Sequence, residues 1–501
     1  MFRLPNGRAG HDVRRMRKKS PQLNLPIAVL GFGFSVLGNG AVEAQDAVWS
    51  ATPANGNFSS AINWGTLPGI DSRLFFGSST VTNLNNDLVG DFSVNGLRFQ
   101  PSAPAYTLSG GTLSLVANQT DFPRIVVNTD SDIIINSAIK SVASVFYISG
   151  SGQGNLTLNG GITAGAGSAM YVEKEGTLTL NGTNTVNSFL IGHYGNMVLS
   201  NGSSLTNGTA SSLTISYLAP EQGDEFTLNV GGGTGSSLWK THGIAYVGTL
   251  GDAAVNITGG GRVESGAVYL AEQAAGTGQI HVGGGTGTSN WTSSANNHIG
   301  HRGTGTMTIT GGGTVVNQVG ILGNLAGGKG IVNVGGGTGT STWTNNQHLV
   351  VGQVGTGEMT ITGQGTVTNT QGYIAYDPGS KGTVTVGGGT GAALWQSTGR
   401  LHIAGSGTAN LSIVGGGTVS SNSAEIALFG AGVGIIDVGG GTGASTWNNS
   451  GGMFIGSQGK GTLNVTGGGT MTSGLSSLGD SASGNGTANI GGGSGASTWI
   501  A

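Results

Sequence analysis

Two short segments have the residue types of a catalytic or nucleotide-binding motif. Gly479-Asp480-Ser481 is similar to the surroundings of a hydrolase nucleophile, and Gly323 to Lys329 has the G-x-x-x-x-G-K spacing of a phosphate-binding loop. The first segment lacks an identifiable His and carboxylate partner, which a catalytic triad requires. In the second, Gly330 replaces the Ser or Thr that would hold magnesium. We interpret both as glycine-rich corners of a repeat and predict no catalytic residue and no cofactor.

The histidines and carboxylates form no strong metal-ligand pattern. His298 and His402 share a position of the repeat, but a valine occupies that position between them and no H-E-x-x-H motif is present. The weak candidate is the pair Asp224 and Asp252, each seven residues before a glycine triplet, which we expect on adjacent coils with Glu225 alongside. Two interpretations remain open: an acidic corner without function, or a single weak cation site.

The elements that would position these residues belong to a long repeat. Six tryptophans each follow a Gly-Gly-Gly-[Thr/Ser]-Gly run, and successive ones are 52 residues apart: Trp239, Trp291, Trp343, Trp395, Trp447 and Trp499. A constant interval indicates a structural unit that stacks on copies of itself.

Each 52-residue unit divides into two similar halves that end in a strand and a glycine run. MTITGGG begins at Met307 and VNVGGG at Val332, and the glycine triplets lie alternately 24 and 28 residues apart. Apolar residues alternate with Thr or Asn, which is typical of strands with one buried face. We therefore predict an all-β fold, a right-handed parallel β-helix of about 26-residue coils in 52-residue double-coil repeats. Glycine then marks corners, because it lacks a Cβ.

The periodic tryptophans have two possible roles. They fill the interior beside a glycine corner, or they form an exposed row that stacks on sugar rings.

The chain divides into four predicted segments. Residues 1–44 are a signal peptide: Arg14, Arg15 and Arg17-Lys18-Lys19 precede a 16-residue apolar run that is too short and too broken to span a membrane convincingly. Residues 45–109 lack the repeat and are assigned as an N-terminal β cap, 110–228 as degenerate coils, and 229–501 as regular repeats that are apparently truncated.

The composition limits the partners. Without residues 1–44 the chain has 12 basic and 20 acidic residues, a net charge near -8, which argues against nucleic-acid binding. No cysteine is present, so neither disulfides nor thiolate metal sites stabilise the fold.

These units resemble the repeat associated with autotransporter (type V secretion) passengers and PEP-CTERM surface proteins. The segment with Asn63-Trp64, Pro68, Asp71 and Phe75-Phe76 is similar to the start of such passengers. The resemblance implies export from a Gram-negative bacterium and anchoring in the outer membrane through a C-terminal β-barrel that would follow Ala501. The chain is then either a fragment or reaches the surface by another route.

Three functions fit these observations. The first is a non-catalytic surface stalk or adhesin whose partners are a host surface, matrix or glycans, with self-association as a further option. The second is a carbohydrate-active enzyme with a cleft in the degenerate coils, and the third is a spacer for a missing C-terminal part.

Overall fold

The computed structural model describes residues 45–119, 121–187, 190–208, 213–215 and 225–501. The predicted signal peptide, residues 1–44, lies outside the described residues. The 49 strands of the described residues belong to one sheet of parallel pairs, wound as a parallel β-helix of about 17 turns, so the predicted fold class is confirmed. Among the described residues the helical content is one 3₁₀ turn, Ala61–Asn63, and no helix there is long enough to cross a membrane.

Each coil contributes a strand to three faces, which we name A, B and C in chain order. Face A consists of Asn83–Asn86, Tyr106–Gly110, Ile133–Ile135, Leu156–Leu158, Glu225–Gly231, Asp252–Thr258, Thr277–Val282, Thr304–Ile309, Lys329–Val334, Thr356–Ile361, Lys381–Gly387, Thr408–Val414, Val433–Val438, Lys460–Val465 and Asn485–Ile490.

Face B follows face A after the glycine-rich corner. Its strands are Leu113–Leu115, Ile139–Ser141, Ile162–Ala164, Thr183–Val186, Ser204–Asn207, Leu238–Lys240, Arg262–Ser265, Asn290–Ser293, Thr314–Asn317, Ser341–Asn345, Gly365–Asn369, Ala393–Ser397, Gly417–Ser421, Thr446–Asn449, Thr470–Thr472 and Thr498–Ile500.

Face C completes each coil. Its strands are Asp46–Val48, Ser72–Phe76, Arg124–Val127, Val145–Gly150, Leu213–Ile215, Ala245–Val247, Val268–Leu270, Asn297–Ile299, Gly320–Leu322, His348–Val351, Gln371–Ile374, Arg400–Ile403, Ser423–Ile426, Met453–Ile455 and Ser476–Leu478. Three longer strands serve two faces: Phe92–Phe99 continues from B into C, and Ala169–Leu180 and Leu190–Leu199 continue from C into A.

The number of residues per coil alternates from one coil to the next. On face A, Asp252 pairs with Thr277 and Thr277 with Thr304, so successive coils have 25 and 27 residues. The two coils together give the 52-residue interval of the sequence. The repeat is therefore a double coil, as predicted.

The glycine corner after face A depends on the missing Cβ. Gly335 has a φ of 114°, and a Cβ there would overlap the carbonyl oxygen of Thr362 on the next coil. Few L-residues adopt such a φ, and none fits the space. The glycine run is therefore required by the close approach of two coils.

The first described coils carry an aromatic cluster. Trp49 and Trp64 pack edge to face with ring centroids 4.9 Å apart, and Phe58 and Phe76 contact the same cluster. The strands Asp46–Val48 and Ser72–Phe76 already pair in parallel. This cluster covers the apolar interior at the start of the described β-helix.

Candidate functional site

The structure places the repeating tryptophans in the interior. The first five are at most 1% exposed and Trp499 is partly buried, so the interior interpretation holds and they form no exposed row. On face B, Val315 pairs with both Trp291 and Trp343, and Val367 with Trp343 and Trp395. A large ring thus alternates with a small side chain, which explains why tryptophan occurs once in two coils.

Each of the later tryptophans has a hydrogen-bond partner one coil earlier, and all of these partners are buried except the part-buried Ser473. The indole N–H of Trp343 donates to Asn317 Oδ1 at 2.7 Å, and that of Trp291 to Ser265 Oγ at 2.9 Å. The same bond joins Trp395 to Asn369, Trp447 to Ser421 and Trp499 to Ser473. The sequence interpretation missed this pairing, although a Ser or Asn stands 26 residues before each of these five tryptophans.

The structure describes only one residue of the weak acidic pair, Asp252. Asp224 lies outside the described residues, and the register partner of Asp252 is Glu225, with Thr277 on the following coil. The register follows the strands, in which Gly231 pairs with Thr258 rather than with the next glycine triplet. Within the part of the chain that the structure describes, no group of three or more His, Cys, Asp or Glu side chains is placed to hold a metal ion.

Both motif-like segments are turns at equivalent corners. Gly323 and Gly479 have φ values of 60° and 69°, in the left-handed region. Lys329 belongs to a face A strand, and its ammonium lies 2.9 Å from the carboxylate of Glu358 on the next coil. Ser481 is exposed, and its hydroxyl lies 3.3 Å from that of Ser483. Neither corner places a base beside a nucleophile among these contacts.

A buried lysine occurs in the degenerate coils. Lys174 is fully buried and donates a hydrogen bond to the carbonyl oxygen of Gly154. Burial lowers the pKa of Lys174 to about 8, against the opposing effect of the charges on Asp132 and Glu175. Because the side chain has no exposed surface, we expect Lys174 to act within the protein interior and not at the surface.

Two grooves on the outer side of face B are polar. One, of about 410 Å³, is lined by Lys240, Arg262 and Glu264 among others. The Glu264 carboxylate lies 2.8 Å from the Lys240 ammonium and 3.1 Å from the Arg262 guanidinium, and the hydrogen bond from Lys240 lowers the pKa of Glu264. The other, of about 450 Å³, is lined by Ser, Thr, Asn and Gln side chains. The first groove therefore has two cations that share one carboxylate, and the second has no charged side chain.

Face C carries an outward row of aromatic side chains at consecutive coils. Tyr246 stacks on Tyr269 with centroids 5.5 Å apart, and Tyr269 on His298 at 4.5 Å. Three coils further along, Tyr373 stacks on His402 at 4.9 Å with only 7° between the rings. In-register pairing places these side chains directly above one another, so Tyr269 has both of its faces covered.

The row is interrupted by two aliphatic residues. The register runs from His298 to Ile321, then to Val350, and then to Tyr373. At about 4.8 Å per coil, roughly 10 Å of the row has no ring. A groove of about 280 Å³ lies there, and its lining residues are Val319, Ile321, His348, Val350, Gln353, Tyr373 and Tyr376.

The rings around this groove meet at right angles. Tyr376 and His348 contact Tyr373 with centroid distances of 5.0 and 5.9 Å and interplanar angles of 79° and 84°. The hydroxyl of Tyr373 donates to Gln371 Oε1 at 2.5 Å, which holds the ring in place. Tyr373 is therefore a fixed wall, with His402 behind it and the shorter Val350 in front.

Two polar atoms of the groove residues have no partner. His348 Nδ1 and Gln353 Oε1 are inaccessible to solvent, and neither atom forms a hydrogen bond with any described residue. Buried polar atoms are usually paired, so such atoms call for an explanation. The sequence interpretation missed this groove, because it considered the shared position of His298, Val350 and His402 only for metal binding.

Beside the groove, histidines and charged side chains of face C lie close together and shift one another's pKa values. Burial and the neighbouring His301 lower the pKa of His298 to about 4. Burial and the charge of Arg302 lower the pKa of His301. Beyond His402, the Glu425 carboxylate lies 3.1 Å from His402 Nδ1, and this contact lowers the pKa of Glu425.

We found no match to this chain among protein family models, curated protein sequences or solved structures.

Proposed function

We propose that this chain is a non-catalytic, exported surface protein whose β-helix acts as a stalk or adhesin. The observation that carries the proposal is the continuity of the outer faces: coil follows coil in register, and the strand connections in the regular repeats are short turns. Such a scaffold offers a long surface for contact, and each coil needs only its neighbours for stability. The predicted signal peptide and the resemblance to autotransporter passengers favour export.

The outer side chains support a scaffold role. Side-chain amides form ladders from coil to coil on face A, as in the hydrogen bonds from Asn256 to Asn229 and from Asn229 to Asn196. Opposite charges pair across coils in the same way, as Lys329 does with Glu358 and Arg400 with Glu425. These groups bind one another along the axis of the β-helix, which suits a stalk that must resist bending and proteolysis.

Export is tested first. The full chain is produced in its host cell, and the surface fraction is analysed by N-terminal mass spectrometry and by protease treatment of intact cells. We expect a mature N-terminus near Gln45 and cleavage of the protein from intact cells. A chain that retains Met1 and is protected inside the cell would overturn the proposal.

Adhesion and catalysis are tested with the mature protein. It is incubated with immobilised matrix proteins and with glycans, and both bound protein and soluble products are measured. The matched control is deletion of one double coil, residues 408–459, because Thr408 and Lys460 occupy equivalent register positions. We expect binding without released products, and a shortened stalk that still folds. Release of oligosaccharides would contradict the non-catalytic assignment.

A further inference from the structure

The interruption in the aromatic row of face C has the features of a ligand site. The rings on either side of it, His298 and Tyr373, belong to stacks that continue away from the groove. Between them Ile321 is only 8% exposed and Val350 is half-buried, so the floor of the groove is aliphatic. The side of Tyr373 that faces this floor is the ring surface that no neighbouring aromatic stacks upon in this row.

The lining limits the charge of a ligand. The seven lining residues include no carboxylate and no Lys or Arg side chain. A buried ion without a partner is strongly disfavoured, so an anion or a cation would lose solvation without compensation. The groove therefore suits a neutral molecule.

The polar atoms of the groove indicate which groups the edge of the ligand must carry. His348 Nδ1 and Gln353 Oε1 make no hydrogen bond to the described part of the chain, so turning either side chain toward a ligand breaks no bond within the protein. One is an acceptor, and the other donates or accepts according to the imidazole tautomer. A ligand with hydroxyl groups around its edge satisfies both, whereas a purely apolar ring satisfies neither.

We propose that this groove binds one neutral pyranose ring, the terminal or internal residue of a glycan. The apolar C–H side of the sugar packs on Tyr373 and over Val350, and its hydroxyls reach His348 and Gln353. The volume of about 280 Å³ lies just below the range of about 300–1,000 Å³ typical of sites for larger ligands, which fits a single ring. The inference rests on the proposed function for its biological role, since it gives the adhesive surface a ligand class.

The site differs from the preceding part of the row for a physical reason. In the coils before it, Tyr269 is covered on both sides by Tyr246 and His298, so no sugar can stack on it. Tyr373 meets two short residues in succession, Val350 and then Ile321, whereas Tyr246 lies between Thr214 and Tyr269. A single site of this size predicts weak binding, with a dissociation constant of about 1 mM, because few atoms are in contact.

The test measures binding of methyl glycosides of glucose, galactose, mannose and N-acetylglucosamine to the mature protein by saturation-transfer NMR. We expect at least one of them to bind. Val350→Tyr should abolish binding, because it completes the aromatic row and fills the groove in a geometry that the fold already accepts at Tyr269. Tyr373→Val should weaken binding at least tenfold, and Tyr269→Val is the matched control that should leave it unchanged.

Several outcomes would overturn the proposal. No binding of any glycoside, or binding that survives Val350→Tyr, shows that the groove is not a sugar site. Preferential binding of choline or of an indole in the same assay assigns the groove to another ligand class. If the protein reaches the cell surface but binds no sugar, only this inference is contradicted. If the protein binds sugar but stays inside the cell, only the proposed function is contradicted.

Discussion

The indole N–H of Trp343 donates a hydrogen bond of 2.7 Å to the side-chain oxygen of Asn317, which lies one coil earlier, and both residues are buried. The Asn317 amide in turn donates to Asn345 Oδ1, also at 2.7 Å. Asn317 thus holds the indole of Trp343 in place. It also connects to Asn345, so side-chain hydrogen bonds continue from coil to coil within the apolar interior. Buried hydrogen bonds of this kind favour one arrangement of neighbouring elements.

Replacing Asn317 with Ala should therefore destabilise this pair of coils. The change leaves the Trp343 N–H and one group of Asn345 unpaired in the interior, at a cost of about 1–3 kcal/mol. Urea unfolding and hydrogen exchange of the coils that contain residues 315–345 measure the effect. Asn333→Ala is the control, since Asn333 points outward from face A. Equal effects of the two substitutions would show that the buried bond contributes nothing.

The alternation of Val315 with Trp291 and Trp343 gives a second prediction. Val315→Trp would place three indoles on successive coils, and the extra volume should cost about 1–3 kcal/mol or more. The neighbouring Val316 points outward on the same strand, so Val316→Trp is a matched control for the change in size and hydrophobicity. Thermal unfolding of both variants distinguishes them. If Val315→Trp unfolds no earlier than the control, the interior has room for rings at every coil.

The sequence predicts much of this architecture but not the sites on it. The 52-residue interval predicted a double coil, and the alternation at Met307 and Ile309 predicted which side chains face inward. The relation between faces could not be predicted, because it depends on corner lengths. Coils that have 25 and 27 residues on face A have 28 and 24 on face B, where Arg262 pairs with Asn290 and Asn290 with Thr314.

The same argument applies to the candidate site. Ile321 and Val350 are ordinary strand residues in the sequence, and their effect appears only when the register places them between His298 and Tyr373. The register of Asp252 was likewise not predictable from the sequence. Asp252 was aligned by its distance from a glycine triplet, but the strands align it with Glu225.

The aromatic row predicts a response to acid. The folded-state pKa of His298, about 4, lies below its unfolded value of about 6.5, so the unfolded chain takes up this proton first. The contribution of His298 to stability is full above about pH 6.5 and is lost as the pH falls toward about 4, by about 1–3 kcal/mol. His298→Tyr should remove this loss while keeping the stack on Tyr269. Thermal unfolding of both proteins at about pH 7 and about pH 4.5 measures the difference. His301 and Glu425 titrate in both proteins, so an identical pH dependence would exclude a contribution from His298.

The buried Lys174 gives a pH dependence of the same sign as His298, but in an alkaline range. Its folded-state pKa of about 8 lies below the unfolded value of 10.5, so between these limits the unfolded chain holds the proton and the folded chain does not. Stability therefore falls as the pH decreases from 10.5 to about 8, and below that the loss is constant. Raising the pH from about 8 to about 9.5 should stabilise the protein by on the order of 1–2 kcal/mol through this residue.

Lys174→Met removes the titrating group but leaves the Gly154 carbonyl without this donor, so its effect at neutral pH combines two opposing changes. The slope with pH isolates the charge: urea unfolding at both pH values should show a rise for the native sequence and a smaller one for Lys174→Met. Parallel slopes would mean that Lys174 keeps its proton within the folded β-helix, and that the interior around Gly154 stabilises an ammonium ion.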